Sequence, residues 1–286
     1  MPRSAYTTNL FALTRIPKKF WNTPPKAISR RLLRALRLRP PTECERLQEY
    51  PRYKPTTTHL LDHTIEIADA ASYLFMKHEI FDLEIYKFSA NRSDPMIIDC
   101  GANIGLSVIY LKGLYPHATV VAFEPDQQVF SILKRNVAAF SLSRVELREQ
   151  AVWSEITKLD FYTEGADGGR IAALNNDTEN IAQIDTIRLR DVLHHRVDFL
   201  KLDIEGAEYA VLDDCRDRLE NVERIFVEYH SFADRPQRLG ELLEILEGAS
   251  FRLHVTNPGL TSPHPFMERR VSAGMDLQCN IHAFRQ

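Results

Sequence analysis

Short apolar segments that alternate with helical segments constrain the fold of this chain more than any other feature. The strand candidates are nearly continuous apolar runs, which is typical of strands buried on both faces. Between them lie segments with helical periodicity, and residues 58–88 ahead of them also read as helical. This alternation predicts a doubly wound, mainly parallel α/β sheet. The strand candidates are MIIDC (96–100), TVVAFEP (119–125), VELREQAVW (145–153), VDFLKLDI (197–204), RIFVEYH (224–230), FRLHVT (251–256) and CNIHAFR (279–285).

One long interruption separates the third and fourth strand candidates. Residues 154–196 contain the glycine-rich patch TEGADGGRIAAL, followed by QIDTIRLRDVL. Because a parallel sheet needs no such segment, we predict an inserted hairpin or lid here, with a mobile tip.

The first part of the chain differs sharply in charge from the rest. No acidic residue precedes Glu43, and the ten Lys and Arg residues before it leave −13 on the remainder of a chain whose formal net charge is −3. This segment is interrupted by Pro17, Pro24, Pro25, Pro40 and Pro41, and residues 26–39 (KAISRRLLRALRLR) predict a basic amphipathic helix. We therefore divide the chain into a basic N-terminal extension, 1–57, and a main domain, 58–286. The helix suits an anionic membrane, nucleic acid or this protein's own acidic body, and the segment also resembles an organelle transit peptide.

The cysteines and the apolar runs bear on the cell compartment. Cys44, Cys100, Cys215 and Cys279 are scattered without Cys-x-x-Cys spacing, which argues against a zinc site and a disulfide framework. The sequence shows neither a run of roughly 18 apolar residues nor the apolar core of a secretory signal. The expectation is a cytoplasmic protein.

The turn after the first sheet strand carries the most informative motif, Asp99-x-Gly101-x-Asn103-x-Gly105. A strand that turns directly into a helix leaves backbone N–H groups free beside the positive end of the helix dipole. Dinucleotide-binding proteins place Gly-x-Gly-x-x-Gly here so that the backbone approaches a pyrophosphate, and this chain lacks that spacing. The motif therefore favours a ligand without a pyrophosphate, such as S-adenosylmethionine, over a dehydrogenase cofactor.

The ends of the second and third strands extend the predicted ligand site. Glu124 follows Gly105 by nineteen residues at a strand end, where a carboxylate accepts hydrogen bonds from both ribose hydroxyls. Val152 or Trp153 then flanks the adenine. The alternatives are that Asp99 and Glu124 only cap helices and that Trp153 is a core residue.

Acidic residues gather at the ends of the fourth and fifth strands. Asp203 and Glu205 lie two apart on a segment read as extended, so they face the same side, and Lys201 is in phase with them. Glu228 and His230 repeat this arrangement on the next strand. Converging carboxylates are costly without a partner, and the candidates are a sulfonium, a divalent metal or Lys201.

This arrangement suits methyl transfer to an alcohol, whose hydroxyl must lose a proton as it attacks. His230 is one candidate for the base, and a divalent metal (Mg or Mn) held by Asp203 and Glu228 is the other way to acidify the alcohol. The sequence leaves both routes open, together with a purely structural His230. Glu208 reads as a residue of the helix surface.

The segments DCGANIG, FEPD, AVW, LKLDIEGAE and VEYH, in this order and at these intervals, resemble the FkbM family of S-adenosylmethionine-dependent methyltransferases. The resemblance covers roughly residues 79–284. It implies a Rossmann-like methyltransferase sheet of seven strands, the last one antiparallel, with helices on both faces. It also implies methylation of a hydroxyl, often on a sugar, glycolipid or polyketide.

The resemblance also implies roles for individual residues. Asp203 and Glu205 would lie beside the methyl group, and Glu124 would bind the ribose. The methionine end of the cofactor would contact Asp99, Gly101, Asn103 and Gly105.

Two other classes of function stay open. Methyltransferases that modify exocyclic amines of bases usually carry an Asp/Asn-Pro-Pro-aromatic turn where this chain has DIEG, and the acidic body opposes phosphate binding. An N-methyltransferase, or one tethered to RNA by the basic extension, is therefore the weaker alternative, and an inactive binding protein with this fold is the other. The expected partners are a small-molecule or carbohydrate acceptor, no nucleic acid, and a peripheral membrane contact through the basic helix. The oligomeric state is left open.

Overall fold

The computed structural model describes residues 41–163, 165, 169–171, 180–258, 262 and 264–285. The chain forms two compact units, residues 1–46 and 47–286. The described part of the first unit includes the start of helix α1 (Glu43–Gln48), and the strands and the other helices belong to the second unit. Within the described ranges, every helix is too short or too polar to cross a lipid bilayer.

The second unit begins with a β-hairpin and not with the helix predicted over 58–88. Strands β1 (Thr56–Leu60) and β2 (His63–Ile67) pair antiparallel, with alternate residues buried. Helix α2 (Ala70–Lys77) follows, capped by the Asp69 carboxylate, which accepts from the Ser72 N–H. It continues into one π-helical turn, His78–Asp82. The helical prediction was thus right from Ala70 to Asp82 and wrong for residues 58–67 and 83–88.

A seven-stranded sheet forms the centre of the unit, in the order β12-β13-β11-β10-β3-β4-β5. The first five of these strands along the chain pair parallel, and β13 runs antiparallel to both of its neighbours. This topology confirms the predicted Rossmann-like methyltransferase sheet, including its antiparallel last strand. The strands are β3 (Met96–Cys100), β4 (Thr119–Phe123), β5 (Val145–Arg148), β10 (Phe199–Leu202), β11 (Arg224–Phe232), β12 (Arg252–Thr256) and β13 (Met275–Phe284).

Helices cover both faces of this sheet, as predicted. Alternate strand residues point to two separate cores: Ile97 and Phe226 pack with helices α2 to α4, whereas Ile98 and Leu200 pack with α5 and α6. Two short 3₁₀ helices, Leu189–Asp191 and Leu219–Asn221, complete the second layer. The α-helices are α3 (Leu106–Leu114), α4 (Gln127–Ala139), α5 (Glu208–Asp214) and α6 (Leu239–Gly248).

The strand order reverses between β3 and β10. From β3 the chain moves outward to β4 and β5, and it returns to the other side of β3 with β10 and β11. Ligands of open α/β sheets bind in the crevice at the carboxyl ends of the strands at such a switch point. The Asp99–Gly105 turn and Asp203 both follow strands that meet there.

The segment between the third and fourth sheet strands forms a second, four-stranded sheet in the order β6-β9-β7-β8. Strands β7 (Lys158–Tyr162) and β9 (Ile181–Arg188) are the antiparallel pair expected of a hairpin. They are joined by β8 (Arg170–Ile171) and by β6 (Ala151–Trp153), which pairs parallel with β9. The single strand predicted over 145–153 is therefore wrong: it divides into β5 and β6, which belong to different sheets.

Some predictions fall outside the described residues. These are the amphipathic helix over 26–39 and most of the glycine-rich patch at the tip of the inserted segment. Residues near the end of the predicted extension are described, and they belong to the second unit: Arg52 and Tyr53 line the main cavity.

Candidate active site

A cavity of about 500 Å³ opens at the carboxyl ends of the sheet strands. It falls in the range of roughly 300–1,000 Å³ that is typical of small-molecule sites. Most of the predicted site residues line it, and three candidates do not: Asp99, Gly105 and Trp153. The predicted residues on the wall are Gly101, Asn103, Glu124, Val152, Asp203, Glu205, Glu228 and His230.

The turn after β3 depends on glycine at Gly101. Its φ is +85°, and a Cβ atom there would lie 1.9 Å from the backbone oxygen of Asp203. The amides of Gly101 and Ala102 both donate to the Phe123 carbonyl, which ties this turn to the end of β4. Gly105 has a different role: it begins α3 at φ +92° and packs so closely on α4 that a Cβ would lie 2.7 Å from Leu133 Cδ1.

Glu124 joins the turn after β3 to the turn after β4. Its carboxyl group accepts from the Asn103 N–H at 2.9 Å and from the Asp126 N–H at 2.9 Å. Burial raises the pKa of Glu124 to about 8, although these two amides act against the shift. A carboxyl group that is buried, oriented by two amides and still on the cavity wall suits a ribose diol.

Asp99 lies behind the cavity wall. It is fully buried, accepts from the Ser107 hydroxyl through Oδ2, and has Lys201 Nζ at 3.4 Å from Oδ1. This geometry gives Asp99 a supporting place beneath the turn, in contrast to the direct ligand contact that the family resemblance implied.

An apolar stretch of wall lies beside Glu124. Phe123, Ala151 and Val152 line the cavity there, together with the amide side chain of Gln150. Such a surface suits the face of a purine. Trp153 is not part of the wall, and its ring packs against the cores of both sheets, as the alternative reading expected.

Lys201 forms an ion pair with Asp203. Its Nζ lies 3.1 Å from Asp203 Oδ2 and donates to the Gly101 carbonyl at 2.7 Å. Burial alone would lower the pKa of Lys201, but the charges of Asp203 and Asp99 outweigh it and raise the pKa well above its usual value. Lys201 therefore fixes Asp203 beside the Gly101 turn.

The loop after β10 is not the extended segment predicted from the sequence. Glu205 has φ +52° and Gly206 φ +96°, so the backbone turns through the left-handed region. Glu208, read from the sequence as a surface residue, is buried and holds this loop. Its Oε1 accepts from the N–H groups of Ile204 (3.2 Å) and Gly206 (3.0 Å).

The same oxygen of Glu208 lies 3.1 Å from His230 Nδ1, which directs Nε2 toward other carboxylates. The Nε2 atom is 3.7 Å from Glu205 and 3.8 Å from Glu228. Burial would lower the pKa of His230, but Glu205, Glu208 and Glu228 outweigh it and raise the pKa well above the ordinary value. The three carboxylates thus favour the protonated form of the ring, and the role of His230 as the base stays a prediction.

Glu228 is buried beside His230 and accepts from the Gln278 side-chain amide. Burial, followed by the charge of Asp203, raises the pKa of Glu228 well above its usual value. One ligand atom each from Asp203, Glu228 and His230 lie within 4.8 Å of one another. This set of two carboxylates and an imidazole matches the donors that divalent cations accept, so these residues fit the predicted metal.

Glu79 is a cavity residue that the sequence analysis missed. It comes from the π-helical turn, is 8% exposed, and lines the same cavity. Burial and then the charge of Asp203 raise the pKa of Glu79 to about 7. A signal was present in the sequence, because Phe75, Met76 and Ile80 on that helical face are apolar, and an acid among them is unusual.

Comparison with known proteins agrees with this geometry. The model of the Methyltransferase FkbM domain matches residues 99–253, which is more than half of the chain. The match begins at Asp99 and includes the ends of β3, β4, β10 and β11.

Three curated relatives illustrate the similarity. Methyltransferase 1 of Beauveria bassiana is 29% identical over 66% of this chain and 85% of its own length. The 31-O-demethyl-FK506 methyltransferase FkbM of Streptomyces tacrolimicus is 26% identical, with the same coverage of both chains. The 2-O-methyltransferase NoeI of Sinorhizobium fredii is 26% identical over 48% of this chain and 64% of its own length.

Proposed function

Because this chain belongs to the FkbM family of S-adenosylmethionine-dependent methyltransferases, we propose that it methylates a hydroxyl oxygen of a sugar, a glycolipid or another small metabolite. The observation that carries this proposal is the convergence of Asp203, Glu205, Glu228 and His230 on one cavity. Carboxylates and an imidazole bind a neutral hydroxyl and receive its proton. The names of two relatives, a 31-O-demethyl-FK506 methyltransferase and a 2-O-methyltransferase, support methylation on oxygen.

The acid cluster also favours oxygen over nitrogen as the acceptor atom. Carboxylates stabilise a nearby ammonium ion, which raises the pKa of an amine and keeps it protonated. A protonated amine has no lone pair with which to attack a methyl group. A neutral hydroxyl keeps its lone pairs in the same surroundings.

The residues of the first two turns hold the methyl donor in this proposal. Glu124 accepts hydrogen bonds from the ribose hydroxyls, the Gly101 turn follows the methionine end, and Val152 contacts the adenine. S-adenosylmethionine supplies a methyl carbon activated by a positively charged sulfur.

The chain then has to orient the acceptor and receive one proton. As the new carbon–oxygen bond forms and the carbon–sulfur bond breaks, the hydroxyl proton passes to the cluster of Asp203, Glu205, Glu228 and His230. Lys201 keeps Asp203 in place for this step. Glu208 keeps the His230 ring in place.

We also propose that the site binds a divalent cation. Asp203, Glu228 and His230 would hold Mg²⁺ or Mn²⁺, with Glu208 on Nδ1 leaving Nε2 for the metal, a common arrangement around metal-bound histidines. Such a cation acidifies an alcohol. Removal of metal with a chelator, followed by separate addition of Mg²⁺ and Mn²⁺, tests this part. Full activity in the chelator contradicts it and leaves proton transfer to the side chains alone.

Incubation with ¹³C-methyl-labelled S-adenosylmethionine and paired acceptors tests the main proposal. The pairs are methyl glycosides and the matching amino sugars, and the ¹³C shift of the product separates O-methyl from N-methyl groups. We expect O-methyl products alone. N-methyl products would favour the alternative of an N-methyltransferase.

The alternative of an inactive binding protein makes a different prediction. Such a protein gains thermal stability neither from S-adenosylhomocysteine nor from NAD, whereas a methyltransferase gains it from the first only. The basic extension (1–57) stays a predicted peripheral membrane contact, which cosedimentation with phosphatidylserine vesicles tests.

A further inference from the structure

Glu79 is a buried acid whose carboxyl group has no partner among the residues that the structure describes. Its backbone carbonyl accepts from Ile85, but no hydrogen bond or ion pair of its side chain occurs in that part of the chain. The other buried acids of the site differ in this respect, because Glu124 accepts two amides, Glu208 accepts from its own loop, and Glu228 accepts from Gln278.

A largely buried carboxyl group without a protein partner lowers stability, because it loses much of its hydration and gains no hydrogen bond in return. The group is on the cavity wall, together with Asp203, Glu205 and Glu228. Its position comes from a π-helical turn, a local widening of the helix that is frequent at functional sites. A ligand in the cavity is the natural partner of such a side chain.

The part of the ligand that Glu79 contacts can be inferred from the charges near it and from the cavity regions already assigned to other ligand groups. The Gly101 turn, Glu124 and the apolar wall near Val152 account for the donor, and the Asp203 cluster accounts for the reacting hydroxyl. Glu79 comes from a different element, the π-helical extension of α2, and lies near enough to Asp203 and Glu228 for their charges to act on one another. An anionic group is excluded there because Asp203 and Glu228 would repel it.

We propose that Glu79 binds a second hydroxyl of the acceptor, adjacent to the one that is methylated, so that the acceptor is a neutral compound with neighbouring hydroxyl groups. This inference rests on the proposed function. A carboxyl group hydrogen-bonds such a hydroxyl as acceptor or, when protonated, as donor. Glu79 is then a specificity-determining residue that selects polyhydroxylated acceptors such as sugar rings.

Two substitutions separate this role from a role in folding. Glu79→Met replaces the carboxyl group by an apolar side chain of similar length, and Glu79→Gln keeps a hydrogen-bonding group. The matched controls are Glu244→Met and Glu244→Gln, since Glu244 is exposed on α6 and does not line the cavity. Each variant is compared with the wild type in thermal unfolding, in calorimetric binding of S-adenosylhomocysteine, and in methylation of methyl glycosides and their deoxy analogues.

We expect Glu79→Met to raise Tm by about 2 °C or more, because it removes an unpaired buried polar group. We expect S-adenosylhomocysteine to bind to within about twofold of wild type, since Glu79 does not contact the donor in this assignment. The KM for the methyl glycoside rises at least about tenfold with a much smaller change in kcat, which is the loss expected for one hydrogen bond to a charged or polarised group. A deoxy analogue that lacks the neighbouring hydroxyl shows the same KM with both proteins, and Glu79→Gln keeps most of the wild-type affinity.

Three results would overturn this assignment. A lower Tm in Glu79→Met would make Glu79 a structural residue, and weaker binding of S-adenosylhomocysteine would place it at the donor's amino group. Failure of the wild-type protein to bind any methyl glycoside while it binds S-adenosylhomocysteine would exclude a polyhydroxylated acceptor. Failure to bind S-adenosylhomocysteine at all would instead contradict the proposed function.

Discussion

The two halves of the cavity differ in how well their carboxyl groups are satisfied by partners within the protein. In the donor half, formed by the Gly101 turn, Asn103 and Glu124, backbone amides already satisfy the carboxyl group. In the acid half, formed by Glu79, Asp203, Glu205, Glu228 and His230, four carboxyl groups lie near one another with one imidazole among them and the Lys201 ammonium beside Asp203. The donor half is thus prepared before any ligand binds, whereas the acid half is electrostatically incomplete. The difference indicates that the acid half needs bound ligands to compensate its charge. Substitutions in the two halves should therefore have different effects.

The largest effect is expected from Asp203→Asn. Loss of this carboxylate removes a proton-accepting group and one of the two carboxylates beside Lys201, so kcat should fall by about 10²–10⁴-fold. Steady-state kinetics of Asp203→Asn and of the exposed control Asp217→Asn checks this. Wild-type kcat in Asp203→Asn would remove the residue from the chemistry.

A backbone change should disrupt the donor half almost as strongly. Gly101→Ala places a Cβ against the Asp203 carbonyl at a φ of +85°, so the free energy of unfolding should fall by at least about 3 kcal/mol. Gly113→Ala in α3 is the matched control, since nothing lies within 4 Å of its Cβ, and it should stabilise the protein by about 0.5–1 kcal/mol. Denaturant unfolding of both variants measures the contrast. Equal stabilities would show that the turn tolerates a side chain.

Proton linkage should reveal whether Glu124 binds the ribose. Its pKa is about 8 in the ligand-free protein, and hydrogen bonds from two ribose hydroxyls favour the ionised form, so binding releases a proton below pH 8. The affinity for S-adenosylhomocysteine should therefore rise from pH 6 to pH 8, by at most about tenfold per pH unit. Calorimetry across this range checks it, with Glu124→Gln expected to flatten the profile and exposed Glu146→Gln to leave it unchanged. A wild-type profile that is flat would contradict the assignment.

The smallest effect concerns the stability of the ligand-free protein. The pKa values of Glu79 and Glu124 rise in the folded state from 4.5 to about 7 and about 8. A carboxyl group whose pKa is raised by folding contributes stability that is complete below about pH 4.5 and is lost as the pH rises through the folded value. Tm should therefore fall by a few degrees between about pH 5 and pH 8. In Glu79→Met the fall should be smaller, and an unchanged pH dependence would show that Glu79 is already neutralised by a partner.

The same contrast explains how much the sequence predicted. The donor half depends on local backbone demands, so the spacing of Gly101, Asn103 and Gly105 and the strand-end position of Glu124 sufficed to predict that these two turns belong to one site at the ends of the strands. The acid half depends on packing between distant elements. Glu208 and Glu79 read as ordinary helix residues, and only the packed structure buries them.

Two errors of secondary structure have equally specific causes. The hairpin of β1 and β2 turns at Leu61 and Asp62, both with positive φ, and such turns are usually marked by Asn-Gly or Asp-Gly. Because residues 58–88 contain no such dipeptide at this turn, the sequence pattern there predicted a helix. The extended reading of Glu205 failed because a left-handed conformation at a glutamate, followed by Gly206, has no clear sequence signature.

A crystal structure with sinefungin would show where the donor binds, because this analogue carries an amine in place of the transferred methyl group. We expect the ribose hydroxyls on Glu124, the purine against Val152, and the amine directed at Asp203 and Glu228. Sinefungin bound with its amine turned away from these carboxylates, or bound outside this cavity, would contradict the account.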